Sequence, residues 1–144
     1  MIFIVTDVVS ELMRKAPNPG VIDWLERYDA ELALSTIVIA EIAFGIEKVR
    51  PEPRSRRLAS DFHHLRRRYA ARIFGFNEAA ALAYGVLMGR WMRAGRPMSV
   101  PDAMIAAFAQ TRGARLATRN AADFVDSGLE LISPWAPRPT CPAT

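Results

Sequence analysis

Residues 1–12 read MIFIVTDVVSEL, and this stretch decides the fold because an apolar run passes directly into a polar turn and a helix-like segment. The run MIFIV is continuous and apolar, which is typical of a strand buried on both faces. Asp7 follows the run, and residues 8–14 are predicted to form a short helix. A buried strand that leads straight into a helix is the repeating unit of α/β proteins.

The rest of the chain repeats this alternation of short apolar runs and helical segments. Further strands are predicted at ELALS (31–35), RIFGF (72–76), ARLAT (114–118) and LELIS (129–133). Helices are predicted from the PNPG turn (17–20) to Tyr28, at 37–49 with Ser35 or Thr36 as the cap, at 51–72, from Asn77 to about Ala94, and from Ser99 to Gly113. The alternation predicts an α/β fold, a three-layer α/β/α domain whose mainly parallel sheet has four to five strands.

Length and composition predict one domain at 1–135 and a Pro-rich tail at 136–144 that is disordered. Hydrophobic residues at 51% and charged residues at 24% are typical of a soluble globular protein. No apolar run reaches the roughly 18 residues of a membrane helix, and MIFIV lacks the basic start of a secretory signal. With Cys141 as the single cysteine, a disulfide framework is excluded. These features predict a cytoplasmic protein.

Four separated positions carry the candidate chemistry: Asp7, Glu41 in IVIAEIAFGI, Asp102 in SVPDAMIAAF, and Asn120 with Asp123 in LATRNAADF. A carboxylate in apolar surroundings is costly unless it is paired, protonated or bound to a cation. Ligands of parallel α/β sheets bind beyond the carboxyl ends of the strands, where these positions are predicted to meet. An oxygen-rich site of this kind suits Mg²⁺ or Mn²⁺.

Each position also has a structural interpretation. Glu41 can be a buried carboxylate paired with an arginine, because the helix at 37–49 is apolar nearly all round and is predicted to be buried. Ser99 and Asp102 match a capping box, and Asn120 is a common turn residue. Asp7 can cap the first helix, and Asp123 can cap a helix or face solvent. Only the joint placement of these residues favours a site.

A basic block is the other charged feature of the chain. Residues 50–72 contain eight arginines against Glu52 and Asp61. Such a block attracts a phosphate backbone or an acidic partner, but a solvated helix face explains it equally well. The residues of this block that are predicted to contact a phosphate backbone or an acidic partner are Arg54, Arg57, Arg66 and Arg67. His63 and His64 lie in this block without metal-ligand spacing and are predicted to be surface residues.

Taken together, the motifs resemble the PIN-domain ribonucleases, and most closely the VapC-type toxins of bacterial toxin–antitoxin pairs. The resemblance extends from MIFIVTDVVSEL through LSTIVIAEIAFGI, PDAMIAAFA and LATRNAADF to the closing ISPW. It implies that Glu41, Asp102 and Asn120 are the second, third and fourth acidic or amide residues of the family's metal site. It also implies that Thr118 is a hydroxyl beside that site, where Thr6 and Asp123 would support the ligands.

The first motif departs from the family pattern, which has Asp-Thr-Asn after the first strand. Aligned without gaps, the chain has Val5 at the Asp, Thr6 at the Thr and Asp7 at the Asn. In the other register Asp7 is the first acid itself and the following Thr-Asn is missing. The gapless alignment is preferred because the strand start and the helix start then both match. Asp7 would then have to replace residue 5 as a ligand.

The resemblance implies metal-dependent endoribonucleolytic cleavage of tRNA or other structured RNA, with Mg²⁺ or Mn²⁺ bound by Asp7, Glu41, Asp102 and Asn120. It also implies a homodimer and a VapB-type antitoxin whose C-terminal segment occupies the groove. One alternative is a pseudo-nuclease that binds the antitoxin but has lost cleavage because of Val5. Another is a small-molecule-binding α/β protein without hydrolytic chemistry, which would not be stabilised by a divalent metal.

Overall fold

A five-stranded parallel sheet forms the centre of the computed structural model, which describes residues 1–96, 98–124 and 126–136. The strands are Ile2–Ile4 (β1), Leu32–Ser35 (β2), Ile73–Phe74 (β3), Arg115–Ala117 (β4) and Leu131–Ile132 (β5). Their order across the sheet is β3-β2-β1-β4-β5, and all neighbouring pairs are parallel. The predicted three-layer α/β/α architecture is confirmed, with five strands.

Helices connect the strands as the alternation of the sequence predicts. They are Thr6–Leu12 (α1), Pro19–Tyr28 (α2), Thr36–Lys48 (α3), Arg54–Arg68 (α4), Glu78–Arg93 (α5) and Val100–Thr111 (α6). Single 3₁₀ turns lie at Asp29–Glu31, Ala70–Arg72 and Ala121–Phe124. In the part of the chain that the structure describes, no helix has the length and hydropathy needed to cross a bilayer.

Local side-chain chemistry sets most helix starts. Ser35, Asn77 and Ser99 each accept a hydrogen bond from a backbone N–H in the first turn, at 3.3, 2.9 and 3.3 Å, as N-caps do. The helices α1 and α4 are different, because their N-caps, Val5 and Pro53, make no side-chain cap hydrogen bond. The first helix therefore begins without the stabilisation that the Ser and Asn caps provide.

Strands β1 and β2 lie in the buried core. Every residue of β1 and β2 is buried, as expected for strands covered on both faces. The Phe3 ring packs edge-on against Phe108 of α6, with centroids 4.9 Å apart. Because β1 lies between β2 and β4, the residues that follow these three strands meet at one edge of the sheet.

Two sequence predictions need correction. The helix α3 is not buried all round, because its buried residues Ile37, Val38, Ile42 and Ile46 form one stripe and Phe44 is 66% exposed. Helix α3 packs against its neighbours on one side only, so apolar residues on the other side stay in solvent. The Arg-rich helix is also shorter than 51–72, because it begins at Arg54 and ends at Arg68. The predicted disorder of the tail lies almost entirely outside the described residues.

Candidate active site

The candidate site lies where β1 and β4 end next to each other. The two strands are paired in parallel from Ile2↔Arg115 to Ile4↔Ala117, and the Val5 N–H donates to the Ala117 carbonyl at 3.1 Å. Residues 5–7 therefore lie beside residues 118–120, although more than a hundred residues separate them in sequence. Strand order, rather than sequence proximity, brings these two polar segments together.

Asp7 connects the two segments. Its Oδ2 accepts a hydrogen bond from the Thr118 hydroxyl at 3.1 Å and another from the Arg119 backbone N–H at 2.9 Å. Its Oδ1 is buried and has no hydrogen-bond partner in the part of the chain that the structure describes. A buried acceptor without a partner is costly and uncommon, so this oxygen is suited to bind a cation. Asp7 does not cap α1, because that position is occupied by Val5.

Thr118 organises the other side of this contact. Its side chain is 1% exposed, and its hydroxyl oxygen also accepts the Asn120 backbone N–H at 3.1 Å. The hydroxyl thus donates to Asp7 and accepts from Asn120, which fixes its orientation. The sequence resemblance placed Thr118 beside the site, and the structure puts it in direct contact with Asp7.

Asp102 approaches from the first turn of α6. Its backbone N–H donates to Ser99 Oγ, which forms one half of the predicted capping box. Burial raises the pKa of Asp102 above its ordinary value, and the charges of Asp123 and Asp7 raise it further, against the opposing effect of a Ser99 hydrogen bond. The three carboxyl groups therefore lie close enough to repel one another, which is the setting in which a cation is stabilised.

A cavity of about 260 Å³ brings these residues together; it is called the acidic cavity below. It is lined by Val5, Thr6, Asp7, Asp102, Ile105, Thr118, Asn120, Asp123 and Phe124. Asp123 and Asn120 are exposed, whereas Asp7 and Asp102 are half-buried. All the predicted site residues other than Glu41 thus line one cavity.

Glu41 lies in a neighbouring cavity. This cavity, of about 280 Å³, lies between α1, α3 and α4 and has Thr6, Ser10 and Leu58 among its lining residues. The Thr6 hydroxyl donates a hydrogen bond to Glu41 Oε1 at 2.6 Å, and Thr6 also lines the acidic cavity. The carboxylate of Glu41 therefore has a threonine partner rather than the arginine that the structural interpretation required. Thr6 stands between it and the other acidic side chains.

No group of three or more His, Cys, Asp or Glu side chains in the described residues is arranged to hold a metal ion. The residues do offer two half-buried carboxylates, an unpartnered Oδ1 on Asp7 and the side-chain oxygens of Asn120 and Thr118. Mg²⁺ is commonly held by one or two carboxylates, with waters and substrate phosphates completing its coordination. The donor set fits that kind of site better than an all-protein cage.

The arginines of α4 have individual partners. Arg54 pairs with Glu52 at 2.6 Å, and Arg57 pairs with Asp61 at 3.1 Å while also donating to the Met13 carbonyl at 2.8 Å. Arg66 lies over the Phe62 ring. Arg67 lines an apolar groove between α2 and α4. Arg57 therefore fastens α4 to the end of α1, whereas Arg67 lines this groove.

Sequence analysis did not single out Arg96 or Asp126, which form an ion pair at 2.6 Å. Both line a cavity of about 470 Å³ that shares Asp102 and Asp123 with the acidic cavity. The sequence predicts only that the preceding helix ends at about Ala94, and nothing in the residues that follow indicates that Arg96 faces the site. The glycine at position 95 is the available sequence signal of the turn before Arg96, because its φ of +72° is a backbone conformation that favours glycine.

The chain is similar to known proteins over nearly its whole length. Residues 2–126 match the family described as PIN domain. The plasmid stability protein StbB of Pseudomonas syringae pv. tomato is 36% identical over 137 residues, which cover 94% of this chain and 99% of StbB. The VapC ribonuclease Y4jK of Sinorhizobium fredii is 32% identical over 142 residues, covering 95% of this chain and 99% of the relative.

The fold has a close counterpart among solved structures. The crystal structure of FitAcB from Neisseria gonorrhoeae gives a TM-score of 0.85 at 28% identity, covering 95% of this chain and 100% of that chain. The family match at residues 2–126 includes every residue that lines the acidic cavity.

Proposed function

Since the chain belongs to the PIN-domain family, we propose that it is a metal-dependent endoribonuclease of the VapC type that cleaves tRNA or other structured RNA in the cytoplasm. The observation that carries the proposal is the Asp7 carboxylate, which lines one cavity with Asp102, Asn120 and Asp123 and whose buried Oδ1 has no hydrogen-bond partner among the described residues. An acidic cavity repels RNA unless a cation is bound, so the arrangement favours a cation-dependent reaction on a phosphodiester.

The proposed ligands of Mg²⁺, or of Mn²⁺, are Asp7 and Asp102, with Asn120 binding the ion or one of its waters. A bound divalent ion of this kind lowers the pKa of a bound water and stabilises charge that develops on phosphate. Thr118 holds Asp7 through its hydroxyl, so that Oδ1 stays directed away from the loop after β4. Asp123 adds negative charge at the exposed side of the cavity.

Glu41 has a separate proposed role. The 2.6 Å hydrogen bond from Thr6 holds its carboxylate at the edge of the acidic cavity without making it part of that cavity. From this position a carboxylate can orient a water molecule or accept a proton from it. We therefore assign Glu41 to water positioning in preference to direct metal binding.

The cleavage test uses the purified protein with total tRNA, in EDTA, Mg²⁺ and Mn²⁺. RNA should be cleaved only with the divalent ions, and Asp102→Asn should abolish cleavage because it removes a ligand while it keeps the side-chain shape. Val5→Asp is run beside both proteins. Cleavage by the Val5→Asp protein alone would refute the proposal that this chain is an active nuclease.

A second candidate function is favoured by Val5 itself. Its side chain lines the acidic cavity and is 5% exposed, so an apolar group occupies the position at which the family pattern has its first acid. A pseudo-nuclease of this kind would keep the fold and its partners. In the cleavage test, a pseudo-nuclease would leave RNA intact, and only the Val5→Asp protein would cleave it.

The proposed partner is a VapB-type antitoxin, and the apolar groove between α2 and α4 is its proposed docking surface. The groove has a volume of about 660 Å³, and Leu12, Ile22, Leu25 and Leu65 are its main apolar lining residues. Arg67 and Arg68 lie on its rim, where they suit an acidic or carboxyl-terminal segment. A small reading frame next to the gene would supply the antitoxin for a co-purification test, in which Ile22→Glu should prevent capture.

A homodimer is proposed through α5. Leu82 and Val86 lie one helical turn apart on α5 and are 67% and 59% exposed. Apolar side chains at this spacing form a continuous stripe on one face of a helix. Such a face suits a second copy of the same helix across a two-fold axis.

A further inference from the structure

Arg96 and Asp126 lie across a second cavity that adjoins the acidic cavity. This outer cavity, of about 470 Å³, shares Asp102 and Asp123 with the acidic cavity. An RNA strand that placed a phosphodiester at Asp102 would therefore have its neighbouring nucleotide in the outer cavity. The volume lies in the range of sites that hold small ligands.

The backbone of Arg96 is held in a fixed position. Helix α5 ends with the Arg96 N–H donating to the Trp91 carbonyl at 2.9 Å and the Gly95 N–H donating to the Met92 carbonyl at 3.1 Å. Together with φ +72° at Gly95, this is the Schellman motif that closes many helices. Arg96 thus projects from a rigid helix end.

Asp126 is held from the other side of the cavity. The adjacent Ser127 is 2% exposed, and its hydroxyl donates to the Phe124 carbonyl at 2.5 Å. The Gln110 side chain donates to the Ser127 carbonyl at 2.5 Å, which ties this loop to α6. Two anchored segments therefore present the guanidinium and the carboxylate to each other.

The ion pair itself contributes little to stability. Its N–O distance is 2.6 Å, but the side chains of Arg96 and Asp126 are 70% and 47% exposed. Exposed pairs of this kind stabilise a fold by roughly 0–1 kcal/mol, so a phosphate can displace Asp126 at small cost. Arg96 is also the one basic residue lining the outer cavity in the described part of the chain, against three aspartates.

We infer that Arg96 binds an RNA phosphate next to the scissile one, and that Asp126 holds the guanidinium until the phosphate displaces it. The inference rests on the proposed function, because it names a positioning residue for that reaction. Arginine suits this task because its planar fork makes two parallel hydrogen bonds to phosphate. In the net acidic surroundings of Asp102, Asp123 and Asp126, this guanidinium also offsets the repulsion of the RNA.

The test measures binding of a short, fluorescein-labelled single-stranded RNA by anisotropy, in Ca²⁺ and at several salt concentrations. Arg96→Ala should weaken binding about tenfold, the effect of losing a charged hydrogen bond. It should also reduce the slope of log K against log salt by about 0.7, one phosphate contact to a single strand. Asp126→Asn should tighten binding roughly two- to fivefold, because it frees Arg96 from its pair.

Arg93→Ala is the matched control, since it removes an arginine from the same helix end that does not line the outer cavity. It should bind RNA as the unaltered protein does. Arg96→Lys should fall between the unaltered protein and Arg96→Ala, because it keeps the charge and loses the fork. All four variants should have melting temperatures close to that of the unaltered protein. A change in RNA binding would then reflect a contact with RNA rather than a structural role.

Equal RNA binding by Arg96→Ala and Arg93→Ala would overturn the inference, and so would weaker binding by Asp126→Asn. Its failure is distinct from that of the proposed function. RNA binding that depends on Arg96 without cleavage in Mg²⁺ or Mn²⁺ would refute only the nuclease activity. Cleavage that is indifferent to Arg96 would refute only the phosphate contact, and so would absence of binding to the single-stranded RNA by a protein that cleaves tRNA.

Discussion

Replacing Val5 by Asp should make the metal-free protein less stable and make it bind Mn²⁺ more tightly. Val5 is 5% exposed, and removing a buried valine side chain from apolar surroundings costs about 2 kcal/mol. Residue 5 is an extended N-cap with φ −90° and ψ 176°. An Asp at this position should stabilise the folded protein by about 1 kcal/mol by capping α1. Repulsion from Asp7 and Asp102 adds to the loss. The net loss is at least about 1 kcal/mol, equivalent to a melting temperature about 2–4 °C lower in EDTA.

Mn²⁺ should reverse this deficit. A cation present at 100 times its Kd stabilises the folded state by about 2.7 kcal/mol, and each further tenfold gain in affinity adds about 1.4 kcal/mol. A fourth carboxylate on the acidic cavity, beside Asp7, Asp102 and Asp123, should therefore give Val5→Asp the larger rise in melting temperature over a Mn²⁺ titration. Thermal denaturation followed by circular dichroism measures both effects in the same samples.

Val5→Asn is the control for the change of shape and for capping. It should lose stability in EDTA, as Val5→Asp does, but its response to Mn²⁺ should match that of the unaltered protein, because an amide adds no charge. The same Mn²⁺ response from the Asp and Asn variants would refute the argument that residue 5 faces a cation site. A Val5→Asp protein as stable as the unaltered one in EDTA would contradict the burial cost.

Three further predictions concern charge and assembly. Asp102→Asn should melt higher than the unaltered protein in EDTA and lose the Mn²⁺ response. The reason is that burial, together with the charges of Asp123 and Asp7, raises the pKa of Asp102. The gain in melting temperature should therefore be largest at neutral pH and disappear in acid, where the carboxyl is protonated in the folded and the unfolded protein. The hydrogen bond from the Asn18 backbone N–H lowers the pKa of Glu11, so Glu11→Gln should melt lower than the unaltered protein at pH 7. This difference in melting temperature should vanish as the pH falls through the lowered pKa. A difference that stays constant across this pH range would contradict a stabilising role of the Glu11 carboxylate. Val86→Glu should convert a dimer to a monomer in light scattering, since it places a charge on each side of a two-fold contact; an unchanged mass would exclude α5 as the interface.

Sequence reasoning predicted the strands, the parallel sheet and the starts of α3, α5 and α6, because these depend on signals from neighbours close in the chain. The run MIFIV, the caps Ser35, Asn77 and Ser99, and the glycine after α6 are local signals of this kind. The strand order is not local. That β4 lies next to β1, and so brings Thr118 to Asp7, depends on packing between segments more than a hundred residues apart.

The same limit explains the placement of Glu41 and the exposure of Phe44. Sequence analysis expected Glu41 to join the other acidic residues, since its helix follows a predicted strand, as the segments with Asp7 and Asn120 also do. It could not predict that the Thr6 side chain would lie between them, because that depends on the rotamers of two residues 35 positions apart. An apolar sequence likewise cannot distinguish a core face from an exposed one, as Phe44 demonstrates.

Val5 and Asp7 together change the site more in geometry than in charge. In the gapless alignment to the family pattern, one carboxylate would be absent at residue 5 and one present at residue 7, so that the number of acidic groups on the acidic cavity would be preserved. Asp7 is held by Thr118 and the Arg119 N–H, which leaves one free oxygen where a carboxylate at residue 5 would offer two. A ligand reduced to one oxygen should bind the cation more weakly while the cavity still attracts it. We therefore expect the unaltered protein to need more Mn²⁺ than Val5→Asp for the same stabilisation.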